Sequence, residues 1–178
     1  MDDIVRQAMA KWPHVPDCFG WLGLDSRGQW YMRDDRVQQL GTFQSGQRGA
    51  KGSVLRHDKL IDFIHRNYDA DERGRWFFQN GPQRVYIELE VSPYIWRLNS
   101  HFEPSAHTGK VTEVLGCLMD EVGRVYLNTT GGFGLVHTLD VAYVAEAVDM
   151  GLWTPEECLA RDLAQSFGYV NRPQEAEE

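Results

Sequence analysis

DERGRWF, residues 71–77, is the stretch that decides the fold, because the chain repeats its pattern twice more. The same spacing occurs in DSRGQWY (residues 25–31) and in DEVGRVY (residues 120–126). Asp at the first and Gly at the fourth position is typical of a type I turn closed by a residue with positive φ. An apolar, aromatic-rich run follows each turn. The motif therefore predicts hairpins, and it indicates an architecture rather than a reaction.

The segments around these motifs extend the same pattern. Asn80-Gly81 separates two apolar runs and is the strongest local hairpin signal in the chain. Apolar residues at helical spacing, together with capping residues, predict helices that begin near Asp3, Asp58, Thr138 and Thr154. We therefore predict an α+β protein in which an antiparallel, hairpin-built sheet packs against helices.

The chain also shows a longer internal similarity. After the first motif come a Gly-rich loop, Leu55-Arg56-His57 and a predicted helix; after the third come a Gly-rich loop, Leu135-Val136-His137 and another helix. This order suggests an internal duplication of a ββα unit. Convergent use of the same hairpin signals is the alternative explanation.

Length and composition indicate one globular domain. The 178 residues suffice for a core without disulfides, and we predict a single domain over residues 1–170. Residues 171–178 form an acidic tail that we expect to fray. The three cysteines have no paired spacing, the N-terminus is acidic, and no apolar run reaches the length of a membrane span. These features predict a reduced, cytoplasmic protein that does not enter a membrane.

Charge is distributed unevenly along the chain. The net charge is −8, and residues 111–178 carry 3 Lys or Arg against 12 Asp or Glu. Such asymmetry favours contact between copies of the chain, so a homodimer or a protein partner is expected; ordinary solvated faces are the alternative. No sustained basic face is present, which excludes nucleic acid as an expected partner.

One candidate catalytic site is the segment TTGGFG (residues 129–134) followed by His137. We interpret it as a Gly-rich loop between a strand and a helix, whose backbone N–H groups could hold a small anion. Its predicted ligand-binding residues are Thr129, Thr130, Gly131, Gly132 and Gly134, with Arg48 and Lys51 of the loop GTFQSGQRGAKGS (residues 41–53) closing over the ligand. His137 would act as acid or base. A plain structural bend explains the same residues.

A second candidate is an interaction surface on the hairpin that follows the second motif. It combines arginines with aromatic residues, namely Arg75, Trp76, Phe78, Arg84 and Tyr86. Arg and aromatic side chains commonly anchor interfaces, provided that they face solvent; if they face inward, they form the sheet core. The His and Cys residues show no metal-ligand spacing, so no metal site is predicted, and no cofactor is indicated.

Three stretches resemble a family of small uncharacterised proteins of Gram-negative bacteria. They are GWLGLDSRGQWYMRD (residues 20–34), RWFFQNGPQRVYIELE (residues 75–90) and GFGLVH (residues 132–137). The resemblance spans most of the chain and implies no activity, cofactor or site residue. The function is thus unknown from sequence, and two hypotheses stay open. The first is a non-catalytic protein that binds a partner or small ligand, and the second is a small enzyme acting on an anionic substrate at TTGGFG and His137.

Overall fold

Each turn motif joins two antiparallel strands, as the sequence predicts. In the computed structural model, which describes residues 1–175, Asp71 Oδ1 accepts hydrogen bonds from the backbone N–H groups of Arg73 and Arg75, both at 3.0 Å. Asp120 does the same for Val122 and Arg124, at 3.1 and 2.9 Å. These bonds satisfy backbone donors inside the turn and so explain why Asp occupies its first position.

The chain divides into two compact units, each with its own six-stranded sheet and helices, which confirms the α+β class. The first unit comprises residues 1–25, 29–90 and 169–175 of the described chain. Its elements are α1 (Asp3–Lys11), β1 (Cys18–Leu24), β2 (Trp30–Met32), α2 (Asp35–Gln39), β3 (Ser53–Val54), α3 (Asp58–Arg66), β4 (Tyr68–Ala70), β5 (Trp76–Asn80) and β6 (Gln83–Leu89). Its strand order is β3-β2-β1-β6-β5-β4, with β1 and β6 parallel.

The second unit comprises residues 26–28 and 91–168. Its strands are β7 (Tyr94–Leu98), β8 (Pro104–Ala106), β9 (Val114–Met119), β10 (Val125–Thr129), β11 (Gly132–Val136) and β12 (Glu156–Glu157), and its helices are α4 (Val141–Asp149), α5 (Leu163–Ser166) and two short 3-10 helices (Thr138–Asp140 and Ala160–Asp162). The order is β12-β9-β10-β11-β7-β8, with parallel pairs β7/β11 and β9/β12.

The two sheets share one pattern of strand pairing. β2-β1-β6-β5-β4 in the first unit and β8-β7-β11-β10-β9 in the second have the same order and the same sequence of antiparallel and parallel pairs. The repeat therefore aligns the second turn motif with the third. The proposed alignment of the first motif with the third is wrong, because Leu55 lies between β3 and α3 whereas Leu135 lies inside β11.

The structure differs from the sequence predictions in two further segments near the C-terminus. The helix predicted from Thr154 is wrong: residues 156–157 pair with β9, and only Leu163–Ser166 is α-helical. The Cys158 N–H donates to Met119 O, which extends this pairing and competes with a helix. In the segment predicted as a frayed tail, Leu89 N–H donates to Asn171 O at 2.8 Å; its last three residues lie outside the described part of the chain.

The Gly-rich loop at residues 41–53 is anchored to the first sheet. Phe43 is buried, and its N–H donates to Glu88 Oε2 at 2.8 Å. Arg33 binds Glu88 and donates to the carbonyl oxygens of Gly41 and Ala50. A buried ion pair thus holds both ends of the loop.

None of the helices within residues 1–175 has both the length and the apolar character needed to cross a bilayer.

Candidate functional site

An apolar groove lies in the first unit, between α3 and one face of the sheet. Its volume is about 280 Å³. We call it the apolar groove, and it is lined by Cys18, Trp21, Leu22, Met32, Leu55, Leu60, Ile64, Phe78, Asn80 and Val85. None of these residues carries a formal charge. Among ligand sites, which commonly span roughly 300–1,000 Å³, it is at the small end.

Strand register explains the floor of the apolar groove. Leu22 pairs with Met32 on β2, and Val85 pairs with both Cys18 on β1 and Phe78 on β5. Directly paired residues share a sheet face, so four strands deliver apolar side chains to one surface. Leu22 and Phe78 are each 5% exposed, which makes the floor part of the core.

Helix α3 forms the second wall. Its apolar residues recur at helical spacing, and His57 caps its N-terminus, with Nδ1 accepting from Leu60 N–H at 3.2 Å. Phe63 packs edge-on against Phe78 on β5, with ring centroids 5.4 Å apart. At the other end of the helix, Trp30 Nε1 donates to His65 Nε2 at 2.9 Å. These contacts fix the helix over the sheet.

The rim of the apolar groove depends on a bulge in β1. Gly20 has φ of +79°, and the pairing of β1 with β6 shifts register between Cys18 and Leu22. Both Trp21 and Leu22 line the groove as a result, although neighbouring residues of a regular strand face opposite sides. Trp21 remains 41% exposed and Met32 51% exposed, so a large ring and a flexible thioether border the opening.

The lining of the apolar groove offers mainly apolar contact. Burial raises the pKa of the Cys18 thiol, which keeps it protonated and unreactive near neutral pH. Asn80 is the one amide side chain of the lining. No group of three or more His, Cys, Asp or Glu side chains within residues 1–175 is placed to hold a metal ion.

The segment TTGGFG (residues 129–134) forms a hairpin turn and part of a strand, not the Gly-rich loop that we expected from the sequence. Thr130 and Gly131 are the turn of the β10–β11 hairpin, and Gly132 and Gly134 lie in β11, so the expected loop between a strand and a helix is wrong. The Thr129 hydroxyl donates to Gly132 O at 2.8 Å. Thr130 Oγ1 lies 2.9 Å from Thr112 Oγ1. The Thr129 hydroxyl thus closes the hairpin turn, and the Thr130 hydroxyl joins that turn to the segment before β9.

His137 and Lys51 make structural contacts, whereas Arg48 is exposed. His137 is 8% exposed and caps a 3-10 helix, with Nδ1 accepting from Leu139 N–H at 3.1 Å. In the first unit, Lys51 Nζ lies 2.7 Å from Glu90 Oε1, and Arg48 is exposed. His137 belongs to the second unit and these two bases to the first.

The predicted interaction surface is divided between core and surface. Phe78 and Tyr86 are buried, at 5% and 1% exposure, and so belong to the sheet core. Trp76 is half-buried against Tyr68, with ring centroids 4.7 Å apart. Arg75 donates to Asp71 at 2.8 Å, and the Arg84 guanidinium lies 4.6 Å from the Phe77 ring centre. Arg75, Trp76 and Arg84 are thus half-buried, whereas Phe78 and Tyr86 are buried.

Sequence reasoning identified the apolar face of α3 but not the apolar groove. The alternation of residues along β1 does not place Trp21 beside that face, because Trp21 reaches it only through the bulge at Gly20. A Gly inside an apolar strand is the local signal for such a bulge.

The chain matches a protein-family model and is similar to solved structures of other proteins. The family model DUF2944, described as "Protein of unknown function (DUF2946)", matches residues 1–174. No curated protein matches the sequence. Among solved structures, a DUF1285 family protein from Silicibacter pomeroyi DSS-3 is similar with a TM-score of 0.49 and 10% identity, over 82% of this chain and 84% of that chain.

A DUF1285 family protein from Shewanella baltica OS155 is similar with a TM-score of 0.45 and 14% identity, over 71% of this chain and 91% of that chain. The family match confirms the resemblance to an uncharacterised family that the sequence suggested. Because the family model covers nearly the whole sequence, the chain belongs to the family described as "Protein of unknown function (DUF2946)".

Proposed function

We propose that this protein is a non-catalytic binding protein whose apolar groove holds a small apolar molecule, such as a short aliphatic chain. The observation that carries the proposal is the uncharged lining of the groove, with a buried floor and an exposed rim of Trp21 and Met32. Removing apolar surface from water drives such binding without any charged contact. The size supports a small ligand, since an apolar cavity of about 150 Å³ already accommodates benzene.

The enzymatic alternative receives less support from the geometry. The Thr129 hydroxyl is engaged within a hairpin turn, the Thr130 hydroxyl is bonded to that of Thr112, and His137 caps a 3-10 helix. A cytoplasmic location stays part of the proposal and is supported by three cysteines that are all free thiols. Homodimer formation also stays a prediction, supported by the charge asymmetry.

The test is calorimetric titration with straight-chain alcohols from butanol to decanol. We expect binding that strengthens with chain length until the apolar groove is full. Cys18→Phe, which fills the groove, should abolish binding, and Met32→Gln should weaken it by about tenfold through the loss of apolar contact. Met150→Gln is the matched control, because Met150 is an exposed methionine of the second unit, at 61% exposure.

Two results would contradict the proposal. One is the absence of saturable alcohol binding to the wild-type protein across the series. The other is a dimer that Met32→Gln dissociates and Met150→Gln does not, since the groove would then be a protein interface. Sedimentation of the same variants separates these outcomes.

A further inference from the structure

A second, polar cleft lies in the first unit, in two adjoining parts. The larger part has a volume of about 630 Å³ and is lined in part by Phe19, Arg73 and Arg75. The smaller part has a volume of about 290 Å³ and is lined in part by Trp12 and Gln79. Asp17 and Arg84 line both parts, so the two meet at these residues. We call the whole the hairpin cleft.

Gln79 supplies the first evidence for a ligand. The residue is 1% exposed and lines the smaller part of the hairpin cleft. Its Nε2 donates to Gly81 O at 3.0 Å, which fixes the orientation of the amide. Within residues 1–175 its Oε1 accepts no hydrogen bond. A buried acceptor without a donor is unfavourable, and a ligand N–H group would satisfy it.

Opposite charges at the junction supply the second evidence. The Arg84 guanidinium is held 4.6 Å from the Phe77 ring centre, which orients it in advance. Neighbouring Arg75 is occupied by Asp71 and Tyr86. Asp17 is an exposed carboxylate on the same walls. The junction therefore offers a cation, Arg84, and an anion, Asp17, to a ligand that carries both charges.

Aromatic rings flank this charged junction. Trp12 is 51% exposed in the smaller part. In the larger part Phe19 stacks on Tyr86, with ring centroids 4.7 Å apart and planes 6° from parallel. The buried tyrosine thereby holds Phe19 in place. Such rings accept an apolar side chain next to the charged groups.

We propose that the hairpin cleft binds a zwitterionic amino acid or short peptide. The ligand ammonium group donates to the Asp17 carboxylate and to Gln79 Oε1, the ligand carboxylate accepts from Arg84, and its side chain contacts Trp12 or Phe19. This site is independent of the apolar groove, with which it shares no lining residue.

The experiment is calorimetric titration of the full chain with glycyl-phenylalanine, N-acetyl-phenylalanine and glycyl-phenylalanine amide. The first probe carries both charges, and the other two lack the ammonium and the carboxylate respectively. We expect the zwitterion to bind at least about tenfold more tightly than either capped probe, because each capped probe leaves a charged partner unpaired.

The variants separate binding from folding. Gln79→Met removes the unpaired acceptor, so we expect binding to fall by about tenfold or more while the urea midpoint does not decrease. Arg84→Gln should weaken binding of the zwitterion, whereas Arg36→Gln, an exposed arginine on α2, should not. Equal binding of all three probes, absence of binding at millimolar dipeptide, or full binding by Gln79→Met would each overturn the proposal.

Discussion

Arg33 and Glu88 form a buried ion pair, with Nη1 and Oε1 2.9 Å apart and side chains 1% and 6% exposed. The second carboxylate oxygen of Glu88 binds Phe43 N–H, and Arg33 also donates to backbone carbonyls. The pair thus ties the Gly-rich loop at residues 41–53 to strand β6. A contact between residues 55 positions apart therefore organises this Gly-rich loop.

Loss of this pair is expected to be costly. Arg33→Met leaves Glu88 buried without its cation, and we expect the free energy of unfolding to fall by about 3–5 kcal/mol. Urea denaturation measures it. Lys51→Met is the matched control, because the Lys51–Glu90 pair is 39% and 26% exposed and should cost no more than about 1 kcal/mol. Equal losses in the two variants would show that the loop does not depend on the buried pair.

A glycine pair on two strands tests close packing in the second unit. A Cβ on Gly134 would lie 2.3 Å from Tyr94 O and 2.6 Å from Trp96 Nε1, whereas a Cβ on Gly116 of β9 would meet nothing within 4 Å. We expect Gly134→Ala to destabilise the protein by about 1–3 kcal/mol and Gly116→Ala to be neutral or stabilising. Thermal unfolding of both variants checks this, and a harmless Gly134→Ala would contradict the close contact.

The turn aspartates predict loss of stability in acid. Burial alone would raise the pKa of Asp120, but hydrogen bonds from Arg124 and the Tyr126 hydroxyl hold that pKa below its ordinary value of 3.8. The unfolded chain therefore takes up the proton first, so stability falls as the pH drops below about 4 and through the folded pKa. Asp120→Asn should lower stability at neutral pH by about 1–3 kcal/mol and reduce the slope in acid.

Urea midpoints measured across this acidic range test the prediction for Asp120. Tyr126→Phe removes one donor and should reduce the slope only in part. An unchanged acid slope in Asp120→Asn would show that other carboxylates carry the effect.

Protonation of His65 is expected to lower the stability of the protein at a milder pH than protonation of Asp120. Burial lowers the pKa of His65 from its ordinary 6.5, against the opposing effect of the Asp62 carboxylate. The neutral imidazole accepts the Trp30 Nε1–H bond that holds α3. The unfolded state gains the proton more readily, so stability decreases as the pH falls below about 6.5 and through the lower folded pKa.

Urea midpoints at about pH 8 and about pH 5.5 should differ for the wild-type protein and less for His65→Gln. His14→Gln changes an exposed histidine and should keep the wild-type difference. If His65→Gln keeps the full difference, another group is responsible.

Sequence patterns located the hairpins of the three turn motifs, the Asn80-Gly81 hairpin and the helices α1, α3 and α4. The decisive interactions of the motif turns and of the start of α3 are local. Asp71 bonds to N–H groups two and four residues away, and His57 caps α3 across three residues. The same local rules failed at Thr154, where pairing of Glu157 with Met119 replaces the predicted helix. A capping signal reflects the preference of an isolated segment for a helix. It carries no information on whether a neighbouring strand is available to pair with that segment.

For the candidate sites, composition was a weaker guide than register. The arginines and aromatic residues of the β5–β6 hairpin were identified, but whether Tyr86 faces solvent depends on which sheet face is covered. Trp21 was not identified, since its position at the rim of the apolar groove follows from the register shift at Gly20.

The sequence by itself determined the three turns of the repeated motif, their hairpins and the capped start of α3, because each rests on hydrogen bonds between near neighbours. Only the tertiary structure decided the division into two sheets, the parallel pairs β1/β6 and β7/β11, and the burial of Arg33 with Glu88. The apolar groove and the hairpin cleft also depend on it. Parallel pairing joins residues that are distant along the chain, and their partners are selected by shared burial of a whole sheet face.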